Sequence, residues 1–336
     1  MMTEHAPDTT TAAGIIRLGN AFCDAKALLT AVELGLFTKL HAGPATVQEL
    51  ARDLELHGRG LSDLLDLLVA LGLLKRDGKQ YGNATGAAQY LVRGQESYVG
   101  GFLERANRNL YPAWGRLSEA LRTGKPQSGS DFTEMISDQG RLRQFVGMMD
   151  ALTQMIGSQL VAAVDWSSTR DVLDVGGARG KLAAQIVSAN SHLSGHVFDL
   201  PPMQPLFEQH RADLGLEGRL TFHPGDFFAD ELPAADAVVL GHVLHDWDPE
   251  QRRALTIKAY DAVRPGGMLL VYDRMLTDQP DVENLVISLD MLLVTDGGSE
   301  YPITAVYENA RTAGFETITH QPLGEYDTLV VCRRAA

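Results

Sequence analysis

The feature that most constrains this chain is a change of texture at Arg170. From there the short apolar runs DVLDV, HVFDL, LTFHPGD, AVVLGHVL and MLLVYD alternate with stretches whose apolar residues recur at helical spacing. A parallel strand covered on both faces reads as a near-continuous apolar run, and each such strand needs a crossover helix before the next. The pattern therefore predicts a parallel, doubly wound α/β sheet. The last two runs, ETITHQPL and DTLVVCRR, are separated only by a short turn and predict an antiparallel hairpin on the sheet edge.

In an open sheet of this kind, ligands bind beyond the carboxyl ends of the strands. Those ends carry Asp174, Asp199, Asp226 and Asp273, and the fourth strand leads to His245. A single Asp at such a place is ordinary, because Asp starts turns and helices. Polar residues at every strand end of one rim point instead to a site. In LDVGGARGKLA, Gly176, Gly177 and Gly180 let the backbone turn sharply and approach a ligand before a helix starts at about Lys181. The spacing is not G-x-G-x-x-G, and no P-loop Lys-Ser/Thr pair follows, which argues against a dinucleotide or a nucleoside triphosphate. A nucleoside without a pyrophosphate remains. Asp199 is suited to accept from both ribose hydroxyls, and Asp226, followed by Phe227 and Phe228, to accept from an adenine amino group under an aromatic cover. Adenosine without phosphate suggests S-adenosylmethionine.

The stretch VVLGHVLHDWDPEQ sets His242 and His245 beside Asp246, Asp248 and Glu250. Two imidazoles and nearby carboxylates are the donors that zinc or iron takes. Asp248, Pro249 and Glu250 are equally an N-cap, a first-turn proline and an acid at the positive helix end. On that second reading, Asp246 and Trp247 position His245, His242 is incidental or lines the site, and no metal is bound.

Before the sheet, Ile15, Leu18, Phe22, Ala25, Leu29 and Val32 recur at three- and four-residue steps, an apolar helical stripe that needs a partner surface. A homodimer is expected. Residues 45–85 read as a winged helix-turn-helix: a short helix capped by Thr46, a Leu-rich helix, and a hairpin around Asp77 and Gly78. DNA binding is disfavoured, because Gly60 to Leu74 carries Asp63 and Asp66 but no Lys or Arg, and the whole chain has a net charge of −14. Three segments are expected: an all-α winged-helix dimerisation domain over 1–95, linking helices over 96–168 and an α/β domain over 169–336. No apolar window suits a membrane span and the polar start lacks a signal-peptide pattern, so a cytoplasmic protein is expected. Cys23 and Cys332 support neither a disulfide framework nor a thiolate cluster.

The ordered set LDVGGARG, VFDLP, GDFF, VLHDWDPEQ, the RPGG turn and LDMLLVTDGGSEYPITAVYENARTAGF resembles the small-molecule O-methyltransferases of the caffeic acid and acetylserotonin type, which include bacterial members of antibiotic biosynthesis. The resemblance covers nearly the whole chain and implies a Rossmann-like methyltransferase sheet. It implies that the glycine turn with Asp174, Asp199 with Leu200, and Asp226 with Phe227 hold the methyl donor. It further implies that His245 is the general base, flanked by Glu300 and Asp273, and that Phe145, Met149 and Met291 line the acceptor pocket. Trp114, Met148 and Met155 are added as further candidates for a flat apolar pocket. Two positions depart from the family: Ala178 stands where a third glycine is common, and Asp273 is one methylene shorter than the usual Glu.

The implied chemistry suits these residues. A sulfonium is already a strong electrophile, so the protein mainly aligns a nucleophile with it. A phenol with a pKa near ~10 needs a base, and an imidazole held by a carboxylate can serve. The expected product is a phenolic methyl ether of a small aromatic or polyketide-type metabolite. Methylation of carbon or nitrogen, a sulfonium-assisted decarboxylation or hydroxylation, and a winged-helix regulator are the alternatives.

Overall fold

The computed structural model describes residues 8–95, 97–129 and 136–336. The chain divides into two compact units between Tyr111 and Pro112, so the expected middle segment 96–168 is shared between them.

The first unit opens with the helix Ala12–Glu33, whose N-cap Thr11 accepts the Gly14 amide at 3.0 Å. Its apolar stripe is buried only toward the C-terminal end. Leu29 and Val32 lie in the core, whereas Ile15, Leu18 and Phe22 are 58%, 54% and 55% exposed. Gly35, with φ 70°, breaks the stripe, and Leu36–His41 forms a separate helix. Strand β1 (Ala45–Thr46) leads into Val47–Asp53, where Thr46 and Glu49 cap each other's backbone amides. After Leu61–Ala70 come β2 (Leu74–Asp77) and β3 (Gln80–Asn83), turned at Gly78 with φ 57°. β1 joins this hairpin in the order β1-β3-β2, so the helical domain carries a small sheet, one strand of which is too short to show any periodicity. Leu36, Phe37, Leu50, Leu65, Leu68 and Tyr81 form its core. Asp66 accepts from the Tyr81 hydroxyl and pairs with Arg76, both at 2.8 Å, so that acid of the Leu-rich helix is engaged with the hairpin.

The second unit is built on β4 (Asp171–Val175), β5 (Ser194–Asp199), β6 (Leu220–Pro224), β7 (Ala235–Gly241), β8 (Val263–Asp273), β9 (Thr317–Leu323) and β10 (Asp327–Arg333). Their order is β6-β5-β4-β7-β8-β10-β9, parallel through β8, with β10 antiparallel to both its neighbours. Successive side chains of a strand face opposite ways. Accordingly Ala237, Val239, Met268 and Leu270 join one core with helices Gln139–Ala163 and Lys181–Ala189, while Val238, Leu240, Leu269 and Val271 join the other with Pro249–Ala262 and Ile303–Ala313. Each such buried Leu or Val stabilises the fold by roughly 1.5–3 kcal/mol relative to exposure. The expected RPGG turn lies inside β8, where the pairing with β7 shifts register. Gly267 passes so close to the Asp236 carbonyl that a Cβ would meet that oxygen at 2.4 Å.

Candidate active site

The glycine turn is shaped by the acids at the strand ends. Gly176 and Gly180 adopt φ of 74° and 77°, and Ala178, where the resemblance leads one to expect a glycine, also adopts a left-handed φ of 49°. Asp199 accepts the Ala178 amide through Oδ2 and the Leu200 amide through Oδ1, each at 2.7 Å. Each oxygen keeps a second lone pair. Asp174 is 4% exposed, and its Oδ2 has no hydrogen-bond partner among the described residues. A Cβ on Gly177 would lie 2.5 Å from that oxygen, so the glycine is needed beside the acid. Burial, reinforced by the charge of Asp199, pushes the Asp174 carboxyl up to about 7. Burial also raises Asp199 to about 6, against the two amides that favour its ionised form.

Asp226 lies two residues beyond β6 and is exposed; its Oδ1 accepts the Phe228 amide at 2.8 Å. Phe227, Phe228 and Trp247 form an edge-to-face cluster, with Trp247 4.6 Å from Phe228 and 5.7 Å from Phe227 between ring centroids. Lys258 fastens this loop by donating to the carbonyls of Phe227 and Asp230 at 2.7 and 2.8 Å. The sequence placed Trp247 only beside His245; its packing against the Asp226 loop is a second connection.

Beyond β7 the backbone turns at His242, which has a φ of 51° and donates its amide to the Tyr272 carbonyl at 2.9 Å. A short 3-10 turn, Leu244–Asp246, then presents His245 before the helix capped by Asp248, whose Oδ1 accepts the amides of Glu250 and Gln251 at 2.8 Å. His245 Nδ1 lies 2.8 Å from Glu300 Oε1 and 3.8 Å from Asp273 Oδ1. Glu300 is thus the direct hydrogen-bond acceptor. Asp273 is fully buried and its Oδ2 accepts from the Tyr301 hydroxyl. On the other ring nitrogen, Nε2 is 3.8 Å from Asp246 Oδ1. Burial alone would push the His245 imidazole down, but Asp273, Asp246 and Glu300 outweigh it and draw its pKa up to about 10.

His242 has a carboxylate partner of its own. Its Nε2 lies 2.8 Å from Oδ1 of Asp327, at the start of β10, and its ring stacks on His245 with centroids 5.7 Å apart and planes 21° apart. The two histidines thus belong to separate carboxylate pairs, and Asp248 is committed to its helix cap. Among the described residues no three His, Cys, Asp or Glu side chains are grouped to hold a metal ion.

The proposed acceptor residues lie on separate elements. Phe145 and Met149 are half-buried on Gln139–Ala163, Met291 is half-buried on Val282–Val294, and Trp114 donates its indole N–H to Asp290 at 2.6 Å. Of the further methionines, Met148 is buried and Met155 is 67% exposed, a difference of helical phase that methionine count alone does not reveal. The sequence reading passed over Asp290, Asp327, Tyr301 and Arg252. An acid between apolar residues beside Met291 was the one local signal, pointing to Asp290.

The model of an O-methyltransferase domain matches residues 114–316, and that of an O-methyltransferase dimerisation domain matches residues 16–93. The tetracenomycin polyketide synthesis 8-O-methyltransferase TcmO of Streptomyces glaucescens is 42% identical, over 95% of this chain and 96% of that protein. The N,N-dimethyltransferase OxyT of Streptomyces rimosus is 38% identical over 94% of both. The crystal structure of human N-acetylserotonin methyltransferase in complex with SAM superposes with a TM-score of 0.88 at 28% identity, covering 100% of each chain.

Proposed function

This chain belongs to the O-methyltransferase family, and from that premise we propose that it transfers the methyl group of S-adenosylmethionine to a phenolic hydroxyl of a planar, polyketide-type aromatic. The observation that carries the reading is the 2.8 Å contact between His245 Nδ1 and Glu300. With Nδ1–H donated to a carboxylate, the neutral imidazole keeps its proton-accepting lone pair on Nε2.

The residues of the rim fit the donor. The buried Oδ2 of Asp174, without a partner among the described residues, calls for a cation or hydrogen-bond donor, as an ammonium supplies. The remaining lone pairs of Asp199 suit ribose hydroxyls, Gly176, Gly177 and Gly180 keep the turn clear of side chains, and Leu200, Asp226 and Phe227 border the place for the base. When bound, the donor supplies an electrophilic methyl on a sulfonium. Phe145, Met149 and Met291, with Trp114 and His242, are assigned to hold the acceptor ring. His245 takes the phenolic proton, Glu300 stabilises the imidazolium, and Asp273 reinforces it from 3.8 Å. With its pKa raised to about 10, the free imidazole is protonated at neutral pH and must first give up that proton; once neutral, it matches a phenol of pKa ~10, so the transfer to nitrogen is nearly balanced. We also assign the protein to the cytoplasm, as a homodimer through the face that leaves Ile15, Leu18 and Phe22 exposed.

Incubating the protein with methyl-labelled donor and a panel of phenolic, naphthoic and polyketide acceptors tests the reading. We expect labelled ether product, and a loss of about 10² to 10⁴ in turnover for His245→Ala with donor binding retained. The likeness to OxyT favours nitrogen methylation as the second reading. A neutral amine attacks through its own lone pair, so full turnover of an amine by His245→Ala would replace the phenol with that acceptor.

A further inference from the structure

We propose that Arg252 is a positioning residue for this reaction: one buried guanidinium ties the turn bearing His245 to the segment bearing Glu300 and fixes their separation. The inference rests on the reading of His245 and Glu300 as the base and its partner.

Arg252 occupies the first turn of Pro249–Ala262, at a position where its neighbours Gln251 and Arg253 would suggest a solvated face, yet it is only 5% exposed. Its Nε donates to the Leu244 carbonyl at 3.1 Å, one residue before His245. Its Nη2 donates to the carbonyl and hydroxyl of Ser299 at 2.9 and 2.8 Å, one residue before Glu300. The same guanidinium lies 4.5 Å over the ring of Tyr301, one residue after Glu300, and the Tyr301 hydroxyl binds Asp273. A planar fork with fixed donor directions meets all of these at once, which a flexible ammonium cannot do. The backbone adds one brace: Ser299 donates its amide to the His245 carbonyl at 2.9 Å. Gly298 packs there so closely that a Cβ would lie 2.6 Å from that oxygen.

Charge supports the same role. His245 is faced by Glu300 and Asp273 at Nδ1, by Asp246 at Nε2 and by His242 across its ring. Buried carboxylates need compensation. Arg252 is a second positive charge, and Asp273 and Glu300 act on it as well as on the imidazole.

The test compares Arg252→Met, Arg252→Lys and Ser299→Ala with the unaltered protein, reading turnover, donor affinity by calorimetry and the His245 titration by NMR without acceptor. For Arg252→Met we expect kcat to fall by about tenfold or more with donor affinity within about twofold. Its His245 titration should move upward by about half a pH unit or more, because a nearby positive charge is gone. Arg252→Lys should restore the titration while recovering only part of kcat, and Ser299→Ala should lower kcat less than either. Turnover of Arg252→Met within about twofold of normal overturns the proposal, as does a joint loss of kcat and donor affinity with an unmoved titration. If Arg252→Met does not fold, Arg252→Lys decides: unchanged kcat overturns the proposal. Failure to methylate any phenol strikes the functional reading instead, and the NMR comparison still judges Arg252.

Discussion

The Oδ2 of Asp199 accepts the amide of Ala178 at 2.7 Å, so the acid ending β5 holds the glycine turn that follows β4. It therefore has a structural duty as well as the proposed hold on the donor's ribose. Asp199→Ala should weaken donor binding by about tenfold or more and also leave two amides without their acceptor, costing about 1–3 kcal/mol of stability. Calorimetric titration with S-adenosylhomocysteine, together with a melting curve, measures both. Unchanged donor affinity would remove Asp199 from the site.

Donor affinity should depend on pH through Asp174 and Asp199. Burial raises both carboxyls in the free protein, to about 7 and about 6, whereas the bound donor favours their ionised forms. Binding should therefore release protons and tighten between about pH 5.5 and pH 8, by at most a tenfold factor per unit for each proton released. The same shifts make the unliganded protein lose stability as pH rises from about 4 to 7, because the unfolded chain ionises first. Titrations in buffers of different ionisation enthalpy count the protons; a count of zero refutes the linkage.

Glu300 and Asp273 should separate in their effects. Glu300→Gln removes the charged acceptor of the Nδ1 proton and is expected to lower kcat by about 10- to 100-fold. Asp273→Asn removes the strongest of the charges holding His245 up toward about 10, so the acid limb of kcat/KM should move to lower pH with a smaller loss of maximal rate. The raised imidazole also stabilises the fold below about pH 6.5, and that contribution disappears as pH climbs through about 10. Identical pH profiles for the two variants would contradict this division.

The exposed part of the first helix should set the assembly state. Ile15, Leu18 and Phe22 are each more than half exposed, and Leu18 and Phe22 lie within residues 16–93, matched by the O-methyltransferase dimerisation domain, with Ile15 just before it. Phe22→Glu with Leu18→Glu should convert a dimer into a monomer in sedimentation runs at micromolar concentration. An unaltered protein that already sediments as a monomer would refute the homodimer.

Local patterns made much of this molecule legible. The β7 and β8 runs announced themselves because buried parallel strands carry apolar residues on both faces, and Thr46 and Asp248 announced helix starts because a cap is a property of a few adjacent residues. The contacts that define the site are of another kind. His245 meets Glu300 across 55 positions and His242 meets Asp327 across 85, so no window of sequence contains either pair. The first was expected only through family resemblance, and the second was missed. Arg252 was hidden by its own chemistry, since arginine in a charged helix start reads as solvent-facing until its carbonyl acceptors are placed. The long apolar stripe of the first helix was legible in its period, and the half of it that faces outward within the chain is the half the sequence left in need of a partner surface.

The order β8-β10-β9 has a consequence for biosynthesis. β9 leaves the ribosome before β10 yet has no place in the sheet until β10 has slipped between it and β8. While the chain is being made, the edge of β8 that ends at Asp273 stays unpaired, and an open edge invites wrong pairing. The strand that closes it also delivers Asp327 to His242. Protection of that edge and completion of the polar rim are thus one event, and a nascent chain that stalls before residue 327 has neither.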